Sequence, residues 1–552
     1  MNKKKVVSLL LATMMLGGVL AGCATTAAAP AASAEPAKEE AAAPAAEGEA
    51  AAPAAEASGS GTPGYEGDGG EFSMYLRSTF IDWINDLEWY KVAEERTGVH
   101  VNYQRGADEE DATYPEIDQM VLSGTLTDCA LAKQDQANVY GMQGAFYNLK
   151  PLIEQYAPHI QAYLADHPDY EKLITAEDGA IYGLLTENAN ALKSSIWFYR
   201  ADHFEKAGVD PASIKNVDDL TDALRTLKEY YKDVPNYYPL NGREEVFRFI
   251  TLFNCGNSAD DSGVKGFYYN NVEWGFDPTA AYDMVETMKL WYDEGLINPE
   301  WVAGAFSEGD WEGAMWEGRG SISYDFYTRP ATFNLAGKDY DPDYNMQILD
   351  FIADKDGNPV RQQTPTLYNE KRATVININA SEETAKDIIQ WIDYFYSEEG
   401  QTLANWGVEG VSYEETPEGR KFLVSYNDEL AKPDGTMEWT FLSDRFTVCK
   451  PVEAEAFFSF NDPAVAEASV RLFTEENLRH GVNIIYNEEE ATELATLTAS
   501  LVDMSKAGMV SFITGKTELN EENWQKYVDD LKAAGYDRVI ELQTEAYNNT
   551  YK

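Results

Sequence analysis

The sequence predicts an α/β protein carried behind an unfolded N-terminal arm. Three observations lead there. Amphipathic helical patterns alternate with short β-type runs from residue 71 onward, composition changes abruptly at that point, and the remaining stretch of about 480 residues is too long for one compact core and predicts two lobes.

The first 22 residues read as a lipoprotein signal peptide. Lys3, Lys4 and Lys5 supply a positive start, residues 6–20 an apolar segment, and Leu20, Ala21 and Gly22 lead to Cys23. An apolar run of about fifteen residues falls short of a comfortable membrane span. Cys23 is therefore expected to become a lipid-bearing N-terminus, holding the mature chain at the extracellular face of the cell membrane. Residues 24–70 are almost entirely Ala, Pro, Glu, Gly, Ser and Thr. They have nothing to bury, and with Cys23 they form a flexible leash with a reach of about 40 Å.

Beyond residue 71 the elements follow in order. Runs at 72–77, 99–104, 129–133, 195–199, 321–325 and 373–378 have β character. Residues 217–231 place Leu220, Ala223, Leu224, Leu227 and Tyr231 on one helical face, with Asp218 and Asp219 at the positive end of the dipole. The helix over 282–294 repeats the pattern through Met284, Val285, Met288 and Trp291, and Gly295 can take a left-handed cap. Ser381 caps a third helix with Ala385, Ile388, Ile389, Ile392 and Phe395 inward and Gly400 near its end. A fourth, over 521–534, turns Trp524, Tyr527, Val528 and Leu531 inward.

A formal net charge of −51 leaves no basic stripe for nucleic acid or anionic lipid headgroups. After Cys23, only Cys129, Cys255 and Cys449 remain, without CxxC spacing, so at most one disulfide is possible and no cysteine metal site is expected. The five histidines form no HExxH, and there is no G-x-S-x-G or G-x-G-x-x-G. Gly515-Lys516-Thr517 mimics a phosphate loop, but Val510 stands where its first glycine belongs. The segment 354–358 (DKDGN) opens like a calcium loop, yet Pro365 occupies the position of the closing Glu, so a hairpin turn is expected there. With 94 acidic residues, carboxylate pairs carry no catalytic signal. Aromatic residues make up 12% of the chain, which suits packed cores and sugar-stacking surfaces alike.

Residues 122–128 (LSGTLTD), 149–153 (LKPLI) with 156–158 (YAP), 181–184 (IYGL) and 197–208 (WFYRADHFEKAG) resemble, in order, the first half of family 1 extracellular solute-binding proteins. Residues 292–299 (YDEGLINP), 317–323 (EGRGSIS), 378–381 (INAS) and 512–516 (FITGK) continue the resemblance to nearly the end of the chain. It implies a two-lobed periplasmic-binding-protein type II fold with a cleft and a multi-crossing hinge. Lobe one would comprise 71–194 and 377–440, lobe two 195–376 and 441–552. It also implies a non-enzymatic, monomeric carrier of an oligosaccharide that delivers its ligand to the permease of an ABC transporter. The acidic calcium loop of long relatives is replaced at 232–238 by KDVPNYY, so neither metal nor cofactor is carried over.

Candidate ligand contacts follow from this frame. Asp82 and Trp83 lie beyond the first strand, as a hydroxyl acceptor and a stacking face or as a helix start. Gln134 follows the third β run, on the cleft or on a surface loop. Trp197 flanks the first crossing, as ligand contact or hinge packing. Tyr324 and Asp325 end the strand after Gly320, and Arg329 meets an anionic sugar or pairs with Asp325. Trp406, between glycine-supported turns, is expected to be exposed and to stack on sugar, with Glu409 beside it. Other classes that fit the composition are a carbohydrate-cleaving hydrolase or lyase and a surface adhesin or peptide scavenger.

Overall fold

The computed structural model describes residues 65–76, 87–107, 110–243, 250–253, 255–256, 258–260, 263–268, 275–425, 428 and 449–551. The signal peptide, Cys23, linker residues 24–64, Asp82 and Trp83 lie outside the described residues. The last linker residues are not free of the fold as expected: the Tyr65 ring is buried in the first core and Gly70 pairs with Val99. Among the described residues, ten strands make up the two main sheets and the pair between them: β1 (Gly70–Leu76), β2 (Val99–Arg105), β3 (Cys129–Ala132), β4 (Leu184–Glu187), β5 (Ser195–Arg200), β6 (Ile322–Phe326), β7 (Met346–Leu349), β8 (Gln362–Thr366), β9 (Tyr368–Ile376) and β10 (Leu478–Gly481).

One sheet runs β2-β1-β3-β9-β4, with β1 parallel to both neighbours and β9 antiparallel to β3 and β4. A second runs β6-β5-β7, with β5 antiparallel to both. Each sheet anchors its own apolar core. The first gathers Met74, Val101, Ile153, Ile376 and Ile388, the second Trp197, Leu224, Met288, Trp311 and Leu531. Every residue of β5 is buried, as expected of a central strand covered on both faces.

The helices form where the apolar period predicts them. Glu382–Tyr394 is capped by Ser381, whose hydroxyl accepts from Thr384 N at 3.0 Å. Val217–Tyr230 is capped by Asn216, which accepts from Asp219 N at 2.9 Å. Gly400 does not sit at the end of the third helix. It lies inside the next one, Glu398–Trp406, whose cap is Ser397. The 354–358 turn forms, with Asp354 Oδ1 accepting from Asp356 N at 3.0 Å and Asn358 N at 2.8 Å and Gly357 at φ 80°. Its flanking strands β7 and β8 belong to different sheets, so the hairpin expected there does not form. The three described cysteines are buried and form no disulfide with one another.

Between the two cores the chain crosses at 188–194 and again between β8 and β9. Here the boundary expected at 376/377 moves earlier, because Tyr368–Ile376 already pairs in the first sheet. Strand β8 pairs in parallel with β10, and the register slips between Thr364 and Thr366, where Pro365 has no N–H to give. Two asparagines fasten these crossings together. Asn188 Nδ2 donates to Thr366 O at 3.0 Å, and Asn188 N to Leu367 O at 2.9 Å. Asn483, just past β10, donates to Tyr368 O at 3.0 Å and to Glu370 Oε1 at 2.7 Å.

Candidate functional site

In open α/β sheets ligands gather at the carboxyl ends of strands. In the first sheet β1 and β3 are parallel, so the residues after each share one edge, and the antiparallel β9 brings its first residues, Tyr368 to Arg372, to the same edge. Gln134, separated from β3 by Lys133 alone, is no surface loop. It opens the helix Gln134–Met142, is 8% exposed, and donates through Nε2 to Asn138 Oδ1 at 3.2 Å. Its Oε1 is buried without a hydrogen-bond partner, an acceptor that a hydroxyl donor would satisfy. Beside it Tyr114 Oη donates to Lys371 O at 2.8 Å, and Lys133 Nζ lies 4.5 Å from the Tyr114 ring centre.

In the second sheet Trp197 and Tyr324 are cross-strand partners, with ring centres 5.0 Å apart. Trp197 is fully buried and Tyr324 nearly so, its hydroxyl donating to Gln362 Oε1 on β8 at 3.1 Å. These two rings tie the sheet to the hinge strands. Alternation along β6 sends Asp325 to the opposite face, where it is fully buried and held by a fork from Arg243, Nε to Oδ2 at 2.9 Å and Nη2 to Oδ1 at 3.4 Å. Arg329 pairs with Glu308, with Glu312 at 3.1 Å and with Asp325 at 3.5 Å. Burial pushes the Glu312 carboxyl above its usual value. Phe326, the last residue of β6, is 41% exposed, with the Arg243 guanidinium 5.0 Å and Lys193 Nζ 5.5 Å from its ring centre.

Trp406 is not the exposed aromatic expected from its flanking glycines. It is 1% exposed, stacked at 4.8 Å on Phe422, and its indole N–H donates to Glu453 at 2.6 Å. The hairpin of Tyr413–Thr416 and Gly419–Phe422 folds over it, which local sequence does not reveal. Glu409 is exposed and lines a separate cavity of about 600 Å³ with Arg96, His159 and Tyr394.

A cavity of about 1400 Å³ opens between the helix Gln134–Met142 and the start of the helix Glu488–Ile513. That volume exceeds the roughly 300–1,000 Å³ of ordinary small-molecule sites. Asp118, Asp135, Glu177, Glu489 and Glu493 are among its lining residues, and Gln136 and Tyr140 both donate to Asp118 Oδ1, at 2.6 and 2.8 Å. Among the described residues no group of His, Cys, Asp or Glu is arranged to hold a metal ion, and no helix is long and apolar enough to cross a membrane.

Sequence reasoning missed Lys193, Arg243, Phe326, Asn188 and Asn483. Arg243 and Lys193 offered one signal, being two of only 43 basic residues against 94 acidic ones. The asparagines offered none.

No protein-family model matches the chain. The fructooligosaccharide ABC transporter substrate-binding protein FusA of Streptococcus pneumoniae serotype 4 is 25% identical over 338 residues, 57% of this chain and 59% of that one. The alignment thus spans less than two thirds of the relative's length. Among solved structures, the alginate-binding protein AlgQ2 without calcium ion superposes with a TM-score of 0.64 at 22% identity, covering 88% of this chain and all of that one. An extracellular solute-binding protein from Bifidobacterium longum subsp. infantis gives 0.65 at 16% identity over 87% and 98%. FusA in complex with kestose gives 0.62 at 18% over 87% and 99%. The chain has the two-lobed fold that these structures share.

Proposed function

We propose that this chain, built on the two-lobed fold of the extracellular solute-binding proteins, is the ligand-capturing component of an ABC importer and that its cargo is an oligosaccharide. One observation carries the reading: two independent cores are joined by crossings that Asn188 and Asn483 fasten into a common hinge. Such a molecule captures by closing, since a ligand that touches both lobes binds the closed form better than the open one and shifts the equilibrium toward it. The closed form is then what a permease distinguishes. A carbohydrate cargo is favoured by the names of the relatives, fructooligosaccharide and alginate binders among them, and by the aromatic richness of the chain.

On this reading the molecule binds without transforming its ligand. Among the described residues, lobe one takes in Tyr65 to Ser194 and Tyr368 to Ser425, and lobe two Ser195 to Thr366 and the helices from Ala454 onward. Asp82, Trp83 and Gln134 serve as contacts from lobe one, and the end of β6 serves from lobe two. The lipid on Cys23 and the linker would keep the folded domain, a monomer, within reach of its permease at the cell membrane.

Calorimetric titration with a panel of oligosaccharides, with peptides as controls, tests the proposal. The expected result is saturable binding of one sugar class, with the sugar recovered at its original length. Time-dependent shortening of the sugar would make the chain an enzyme. Binding of peptides alone would overturn the carbohydrate assignment.

A further inference from the structure

The helix Tyr536–Tyr551 joins two places that the capture reading above requires to move against each other. Its first turns are rooted in the second core, where Tyr536 and Val539 are buried. Sixteen residues of helix span about 24 Å, so the far end lies well away from that root. It reaches residues 482–487, the stretch without helix or strand between β10 and the helix Glu488–Ile513. There Ala546 and Ile484 are buried together, with Val482, Tyr486 and Tyr547 packed against them. The same helix touches Pro168–Ile174 of lobe one.

Two hydroxyls in the last turn hold the backbone of this stretch. Thr550 Oγ1 accepts from Ile485 N at 3.1 Å and donates to Ala546 O at 2.8 Å, and Tyr551 Oη donates to Asn483 O at 2.7 Å. Burial first, and the Glu370 charge second, push the Tyr551 hydroxyl up to about 12, so it stays a donor at neutral pH. Asn483, 4% exposed, is in turn the link to lobe one. Its Nδ2 donates to Tyr368 O at 3.0 Å and to Glu370 Oε1 at 2.7 Å, and its Oδ1 accepts from Tyr368 N at 3.3 Å. An unbroken series of bonds therefore runs from the last turn of the helix to the first residues of β9, at the ligand edge of the first sheet. Ile485, Tyr486 and Asn487, from the same stretch, line the 1400 Å³ cavity opposite the helix Gln134–Met142.

We infer that the helix Tyr536–Tyr551 is the strut of the hinge, and that Thr550 and Tyr551 are positioning residues that fix Asn483 as its pivot. Asn483 is bonded to both sides at once, so the lobes cannot part at this point, and their rotation is confined to an axis that passes through it.

The test is hydrogen exchange, read by mass spectrometry on the whole unliganded protein, together with small-angle scattering. Tyr551→Phe removes the hydroxyl and keeps the ring that packs on Tyr547 at 5.0 Å, so the fold is retained. Exchange in peptides covering 482–487 and 366–372 should quicken by about fivefold, the scale of one hydrogen bond, and further when Thr550→Val is added. Peptides from β3 and β5 should keep the parent rate. The scattering radius of the unliganded double variant should exceed that of the parent, because lobes released at the pivot open wider. A rise in exchange confined to 546–551, or a radius that stays at the parent value, overturns the inference, since the last turn would then stabilise only its own helix. No ligand enters either measurement, so absence of saturable sugar binding overturns the capture reading and not the strut.

Discussion

Asp325 and Glu294 are both carboxylates forked by an arginine, and their surroundings give them very different weight. Asp325 is fully buried with Arg243 at 5% exposure, whereas Glu294 and Arg225 meet at 2.7 Å on the surface, with side chains 34% and 44% exposed. Removing one partner of a buried pair strands a charge that water cannot reach, so Asp325→Ala should lower stability in urea unfolding by about 3–5 kcal/mol. Glu294→Ala should cost less than about 1 kcal/mol in the same assay. A small effect at Asp325 would mean that Arg243 finds water. The thiols make a second prediction at this scale. Cys129, Cys255 and Cys449 are buried, and burial pushes each above its ordinary value, Cys449 up to about 12. In the folded domain 65–552 a thiol-specific disulfide reagent should label none of them until denaturant is added. Trp406 and Gln134 show why such properties were not legible beforehand: a residue's exposure depends on chain that returns from elsewhere, the 413–422 hairpin in one case and the packing of β9 in the other.

At the scale of elements, the helices were legible because their apolar period and caps are written locally. Met284, Val285, Met288 and Trp291 are all buried on the helix Tyr282–Asp293, and Gly295 takes φ 66° after it. Asn216→Ala should remove about 1 kcal/mol by orphaning the N–H of Asp219, measurable as a shift in urea midpoint at constant slope. The hinge strands were less legible. Glu370 sits in the stretch of β9 where the register shifts between Asn369 and Ala373. Burial first, and the nearby Asp135 charge second, push its carboxyl up to about 7 from 4.5, partly offset by the Asn483 hydrogen bond. Between those two values the folded chain holds more protons than the unfolded chain, so this group's contribution falls as pH rises through that window and is level above it. Glu370→Gln keeps an acceptor for Asn483 and cannot ionise. Its stability should exceed that of the parent by a margin that grows from pH 4.5 to 7, and a margin independent of pH would place the Glu370 charge in water.

On the capture reading, the decisive quantity for the whole molecule is the difference between open and closed forms. A saturating oligosaccharide should reduce the radius of gyration in small-angle scattering, whereas a rigid adhesin would keep it constant. Sugar at about a hundred times its dissociation constant should stabilise by about 2.7 kcal/mol, a rise of a degree or two in melting temperature for a protein of this size. Two lobes were legible from length, and their α/β class from alternation. The path of the chain between them was not, because Tyr368–Ile376 reads as a strand without indicating which sheet it joins. Its antiparallel pairing with β3 and β4 decided that.

The sequence by itself determined the elements, their apolar faces and the number of lobes, since helix and strand periods, caps and chain length are local or global sums that need no partner. Only the tertiary structure decided that Trp197, Tyr324 and Trp406 are packed inside and that Asp325 and Arg329 are spent on partners within the chain. Those outcomes depend on contacts such as Arg243 with Asp325, Trp406 with Glu453 and Asn483 with Glu370. Each joins residues more than forty positions apart, and a long-range pairing leaves no mark in the neighbourhood of either partner.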